Sequence, residues 1–263
     1  MTMPDGRIPH GAREITTGQA NRVWYIDGPE PYVLKHYSDP ARAANEAEAL
    51  TLLNRYQTPA PRLLGAAPEA RPAWTAQTAV HAEPVPASQL LKALAEPLTT
   101  IHRIPGPHVG RLAGARHHHR WRDYLHDRLD TYAAAAPDLV RTAAALHHEL
   151  DTLDDNIQPR LLHHDLQPGH LVRSHTGKPL LLDWELAAFG DPLSDLARLA
   201  VRLGLPDPAD TLHLAHQPGP AANRRVHLYW RIHLLADAAL STDPVVRHRG
   251  RTQLSQQQVD LVP

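Results

Sequence analysis

Four charged residues stand where a charge needs a reason. Lys35 lies inside the strand-like run YVLKHY, and Glu46 follows on an alanine- and leucine-rich stretch. Asp165 interrupts LLHHDLQPGHL, and Asp183 ends the apolar run of LLLDWE. A carboxylate set among leucines is expensive to desolvate unless a cation or a donor meets it. Lysine itself is scarce here, with only three against a large excess of arginine. In this order the four supply the charges that phosphoryl transfer from a nucleotide requires. The lysine holds the α- and β-phosphates and the glutamate holds the lysine. One aspartate takes the acceptor hydroxyl's proton, and the other carries Mg²⁺. Plainer readings exist for each. A strand lysine is often a solvated edge charge. Glu46 competes with Glu48, which cannot share its helix face. Asp165 could simply form a turn, although apolar flanks on both sides would bury it.

The elements that must position these residues can be read from pattern. Alternation suggests strands ending at Gly18, over residues 22–26 and over residues 32–37, with Asp27-Gly28 as a hairpin turn. Ser38-Asp39-Pro40 is an N-cap with a proline suited to the first helical turn, and a helix should follow to about Tyr56. Two short apolar runs, 62–66 and 73–80, precede the Pro-rich HAEPVPAS, taken as a lobe boundary between residues 1–81 and 82–263. Beyond it helices are expected over 89–102, 118–134, 138–153, 193–203, 221–240 and 245–259. A hairpin around RSHTGK interrupts them. The fold class is α+β, with a small β-rich N-lobe and a larger helical C-lobe.

Composition removes several classes of function. The formal net charge of −1 gives no electrostatic reason to bind nucleic acid or an anionic membrane. The absence of cysteine excludes disulfides, thiolate nucleophiles and zinc–thiolate sites. No apolar run is long enough to span a bilayer, and the polar N-terminus lacks a secretory h-region. The expectation is a soluble cytoplasmic protein, monomer or homodimer. The run His117–His119 points to successive helix faces and cannot chelate one ion. No H-E-x-x-H pattern occurs among the other histidines.

The motifs resemble a known family. HHDLQPGH is similar to the H-G-D-x-x-x-x-N loop of the aminoglycoside phosphotransferase and choline kinase-like small-molecule kinases. LLDWELAAFGDPLSDLARL resembles that family's metal-binding segment and the helix after it. TTGQANRVWYI resembles its nucleotide-positioning hairpin, and NEAEALTLL its glutamate-bearing helix. The resemblance implies a protein-kinase-like bilobal fold with ATP near the linker. Gly18 to Asn21 would cover the phosphates, and backbone around Thr78–Val80 would meet adenine. It favours Glu46 over Glu48, and it has Asp195 bracing the catalytic loop through His163. Asp191 would cap the following helix, and Glu185 would lie near substrate.

One position departs from the family. Where its loop ends in asparagine, the second metal ligand, this chain has His170. Mg²⁺ prefers oxygen donors, whereas imidazole suits softer ions, so Mn²⁺ is expected to substitute. The reaction implied is ATP-dependent phosphorylation of a hydroxyl on a small natural product such as an antibiotic. Two alternatives stand beside it: a Ser/Thr kinase of a biosynthetic peptide, and a nucleotide-binding pseudokinase scaffold. From Leu205 onward arginine outnumbers aspartate and glutamate is absent, so no acidic wall for a polycationic aminoglycoside is evident.

Overall fold

The structure, a computed structural model, describes residues 4–15, 21–80, 82–154, 156–215, 219 and 221–259. It begins with β1 (Arg13–Ile15), β2 (Asn21–Ile26), β3 (Tyr32–Tyr37), α1 (Pro40–Arg55), β4 (Leu63–Ala67), β5 (Ala73–Thr78), β6 (Ala82–Pro84) and α2 (Leu90–Ile101). Next come β7 (Gly110–Arg111), α3 (Trp121–Ala135), α4 (Val140–Asp151), β8 (Arg160–Leu162), β9 (Leu171–Ser174) and β10 (Pro179–Leu181). Then follow β11 (Ala188–Gly190), α5 (Leu193–Leu203), α6 (Ala222–Leu240) and α7 (Pro244–Val259).

Two compact units result. The first holds Met1–Ile104, Arg111–His117 and Gln167–Ala188; the second holds Pro105–Gly110, His118–Leu166 and Phe189–Pro263. This division differs from the one expected at residues 81 and 82, for a reason of backbone pairing. Part of the Pro-rich segment expected as a linker is strand β6, which pairs antiparallel with β9 (Ala82 opposite Ser174, Pro84 opposite Val172). The β9–β10 hairpin therefore belongs with the first unit, since β9 finds backbone partners along both edges.

In the first unit five antiparallel strands run in the order β1-β2-β3-β5-β4. Lys35 sits on the central strand, opposite Val23 of β2 and Thr75 of β5, so it is no edge charge. Trp24, Leu34 and Ala76 pack together with Ile26 and Trp74, while Tyr37 and Ala73 pack with Ala43 of α1. Strand alternation puts Lys35 on the same face as Tyr37, toward the helix. Helix α1 starts where the sequence indicates: Asp39 accepts from the Ala41 N–H at 2.9 Å, and Pro40 opens the first turn. Its buried stripe comprises Ala43, Glu46, Leu50 and Leu53, spaced at three and four residues. Glu46 is part of that stripe, and Glu48 is exposed.

The second unit is mainly helical. Helix α5 is buried from Leu193 through Val201. Helix α3 begins at Trp121, three residues later than the sequence suggests, because His118 exchanges backbone hydrogen bonds with Val109 at 3.0 Å. Trp121 is buried and stacks on Tyr124 with ring centroids 5.0 Å apart. Gly190 passes so close that a Cβ there would lie 2.2 Å from the Trp121 ring. Gly190→Ala is thus expected to destabilise the protein by about 1–3 kcal/mol through overpacking. Gly169→Ala, whose Cβ would meet nothing within 4 Å, serves as the comparator. Denaturant unfolding of the two variants checks this; equal midpoints would refute the packing argument.

Candidate active site

The first unit gathers a buried charge cluster. Lys35 Nζ donates to Glu46 Oε1 at 2.7 Å and to Asp183 Oδ1 at 2.9 Å. Lys35 is 6 % exposed and Glu46 fully buried, whereas a third of the Asp183 side chain reaches solvent. Burial alone would push the Lys35 ammonium down, but Glu46 and Asp183 outweigh it and hold the pKa above the ordinary lysine value. Burial raises Glu46, and Asp183 adds to this, while Lys35 opposes both. Tyr37, on the lysine's face of β3, donates its hydroxyl to Glu46 Oε2. The Trp184 N–H reaches Glu46 Oε1 at 3.2 Å.

Asp183 has a left-handed backbone, φ 65°, a conformation that costs a non-glycine residue energy and persists where its surroundings enforce it. His170 Nε2 approaches Asp183 Oδ2 at 3.3 Å. The Gln167 amide lies 2.6 Å from the same ring nitrogen, so turning that amide over would present its oxygen there.

Around this core two further residues matter. Glu185, expected near substrate, accepts from Arg42 Nη1 at 2.6 Å and from the Asn21 amide. Burial raises its pKa, with Asp183 adding and Arg42 opposing. Asn45 makes four bonds: its amide donates to the Glu185 and Ala187 carbonyls at 3.0 and 2.9 Å. Its Oδ1 accepts from the Leu112 and Ala113 N–H groups at 2.9 and 3.1 Å. Thr78 ends β5, its hydroxyl accepting from the Arg62 N–H at 2.9 Å, and half-buried Val80 follows. Gly18 lies outside the described residues.

Does this cluster fit a nucleotide and its metal ion? Lys35 and Arg42 bring two positive charges, and Glu46, Asp183 and Glu185 bring three negative ones. A surplus of one carboxylate in this partly buried cluster invites a cation. Asn21 Oδ1 is also buried without a hydrogen-bond partner. Among the described residues no three His, Cys, Asp or Glu side chains converge to hold an ion. A divalent ion would therefore be held by Asp183, with His170 or the Gln167 amide beside it, and by water and phosphate oxygens. Mg²⁺ sites commonly take that form. The donor set fits.

The second unit holds Asp165. Asp195 accepts the backbone N–H groups of His163 and His164 through its two oxygens, at 2.9 and 2.7 Å. His163 is fully buried and its Nδ1 accepts from the Asp165 N–H at 3.3 Å. His164 is left-handed, φ 64°, and its ring meets those of Trp121, Tyr124 and His233. The loop is thus held from its own backbone. Asp191 caps α5 through the Leu193 N–H at 3.1 Å and also binds Arg225 and Tyr229.

Two arginines on α5 escaped sequence reasoning. Arg202 Nη2 lies 3.2 Å from Asp165 Oδ1, and Arg198 Nη2 lies 3.7 Å from the same oxygen. Arg198 also bonds Asp237 Oδ1 at 2.7 Å. Burial and the neighbouring Arg198 lower the Arg202 pKa, and the Arg202 Nε–H is buried without a partner. Their i, i+4 spacing after Asp195 was the available signal.

The site's chemistry predicts a pH effect. Burial, then Arg198, holds His233 down to about 3, and it bonds Ser194 at 3.0 Å. Below about pH 6.5 the unfolded chain takes up a proton at this residue that the folded chain refuses. Its contribution to stability is full above that value and falls with pH by up to about 1.4 kcal/mol per unit, down to about pH 3. Unfolding free energies between pH 4 and 8 should fall less steeply toward acid in His233→Gln than in wild type. Identical slopes would refute the assignment.

The model of a family described as phosphotransferase enzymes matches residues 11–228. No curated protein matches the sequence. A solved thermostable mutant of aminoglycoside phosphotransferase APH(4)-Ia, in ternary complex with AMP-PNP and hygromycin B, is 16% identical. The match covers 94% of this chain and 93% of that one, with a TM-score of 0.69. Choline kinase LicA from Streptococcus pneumoniae is 14% identical over 91% of each chain, with a TM-score of 0.68. At such identities the likeness establishes the fold, which is protein-kinase-like.

Proposed function

The chain belongs to the phosphotransferase enzyme family, and we propose that it transfers the γ-phosphoryl group of ATP to a hydroxyl of a small natural product. The buried Lys35–Glu46–Asp183 cluster carries this reading, because its charge suits a nucleotide with its metal ion. Lys35, kept charged by its carboxylates, binds the α- and β-phosphates. Glu46 fixes the ammonium, and Tyr37 and Asn45 hold the framework around it. Asp183 would hold Mg²⁺, which when bound supplies positive charge to the phosphates. Asp165 orients the acceptor hydroxyl and takes its proton as the oxygen attacks phosphorus.

The acceptor can be narrowed by charge. When Asp165 takes up a proton, Arg198 and Arg202 are left facing Asp237 alone. A polycationic acceptor would add positive charge beside two guanidiniums. An acceptor bearing a carboxylate or phosphate near its hydroxyl would relieve them. The reading is therefore an anionic, hydroxylated metabolite rather than an aminoglycoside. Among the described residues no helix is long and apolar enough to cross a membrane.

Two experiments test these points. Asp165→Asn should lose at least ~10²-fold in turnover while ATP still raises the melting temperature. That ATP effect should vanish in Lys35→Ala and Asp183→Ala, and His170→Asn should keep or raise Mg²⁺-supported turnover. Near-normal turnover in Asp165→Asn, or undiminished ATP stabilisation in the other two, refutes the mechanism. For the acceptor, ATP consumption is compared across hydroxylated compounds and their methyl esters. Arg202→Gln, which also frees Asp165 and so lowers turnover for every acceptor, should raise KM for the free acids much more than for the esters. Preference for cationic acceptors would refute the charge argument and leave the phosphotransfer reading standing.

A further inference from the structure

Beside the charge cluster, the first unit holds a cavity that phosphoryl transfer does not use. It measures about 60 Å³ and lies among the residues after α1, helix α2 and the β9–β10 hairpin, all within that unit. Ile101, Leu181 and Trp184 form the buried part of its wall. The Trp184 indole N–H already donates to the Leu181 carbonyl at 3.0 Å, so its ring contributes apolar surface. Thr58 is set by the closing turn of α1. There its N–H bonds the Leu53 carbonyl at 2.9 Å, directly after left-handed Gln57. Thr58 is 8 % exposed, and its hydroxyl has no hydrogen-bond partner among the described residues, which a buried polar group tolerates poorly. One rotamer step about χ1 exchanges its hydroxyl and methyl, so either can face the cavity. Glu96 of α2 and Lys178 of the β9–β10 turn complete the lining, and both are exposed. Neither enters an ion pair among the described residues.

We propose that this cavity binds a free α-amino acid with a branched aliphatic side chain. Charge selects the class. A cation would meet Lys178 and an anion would meet Glu96, whereas a zwitterion suits both. Its ammonium donates to Glu96, its carboxylate accepts from Lys178, and the Thr58 hydroxyl gains a partner. Size selects the side chain. At about 15 Å³ for each water, the cavity has room for roughly four waters, or for the carbons of a branched aliphatic group. The exposed charges contribute modestly, so burial of that group against Ile101, Leu181 and Trp184 supplies most of the affinity. The occupant also bears on the charge cluster. Trp184 follows Asp183, and its backbone N–H bonds Glu46 Oε1 at 3.2 Å. A molecule packed on Trp184 therefore steadies both carboxylates that hold Lys35. This last effect rests on the phosphotransfer reading; the binding site does not.

The test begins without nucleotide. Leucine is titrated calorimetrically into the full chain, and one equivalent should bind. Isopentylamine and 4-methylpentanoate, which lack its carboxylate and its ammonium, should each bind about 2- to 10-fold more weakly. Glycine, which lacks the side chain, should lose more than either. Glu96→Gln should weaken leucine and isopentylamine by about 2- to 10-fold and 4-methylpentanoate much less. Lys178→Gln should do the converse. Lys92→Gln, on the same helix as Glu96 but outside the cavity lining, should change nothing. No binding of leucine, binding of glycine as tight as leucine, or indifference to both variants overturns the proposal. In a second titration, leucine should tighten ATP binding. Leucine that binds without altering ATP affinity overturns the link through Trp184. Leucine binding in a chain that takes up no ATP overturns the phosphotransfer reading and leaves the amino-acid site standing.

Discussion

A lysine ammonium nearly sealed from water must be met by carboxylates, and much of the first unit follows from that one requirement. Lys35 sits on the central strand of a five-stranded sheet, where an uncompensated charge would be ruinous. Glu46 meets it from the middle of an otherwise apolar helical stripe, and Asp183 meets it from the end of the β10 segment. Removing one partner of such a group strands the other, which is why buried pairs are far more expensive to break than to omit. The placement of α1, the left-handed turn at Asp183 and the Tyr37 hydroxyl all serve this ammonium.

The second unit solves a different problem. Its key carboxylate, Asp165, must be positioned without being smothered. The loop is anchored by backbone amides bound to Asp195, while two guanidiniums share Asp165 Oδ1. Those guanidiniums set the electrostatic character of this region. Asp165 and Asp237 balance them, in contrast to the surplus of carboxylates in the first unit.

Much of this was legible in the sequence, for physical reasons. Lys35, Asp165 and Asp183 interrupt apolar runs, and burial makes such interruptions meaningful. Glu46 was separated from Glu48 only by the family resemblance, and the helix shows the physical reason, since Glu46 shares a buried stripe with Ala43, Leu50 and Leu53. The boundary near residue 81 was misread because a proline-rich strand at a sheet edge looks like a linker; β6 draws its pairing from β9, some ninety residues away. Arg198 and Arg202 were missed because α5 is buried almost all round, so its arginines do not mark a solvent face. The cavity beside Trp184 depends on how α2 meets the β9–β10 hairpin, which neither element's own pattern encodes. Asn45 was hidden beside a more conspicuous neighbour.

The grip of Asp195 on two peptide N–H groups also bears on how this chain can vary. Every residue but proline carries that N–H, so the hold of Asp195 does not depend on residues 163 and 164 being histidines. The ring of His164 packs on those of Trp121, Tyr124 and His233, and φ 64° limits which side chains the position accepts. Asp195 has no such latitude, because asparagine keeps only one accepting oxygen for the two amides and a shorter side chain reaches neither. A loop anchored through its amides can in this way keep its shape while its lettering changes.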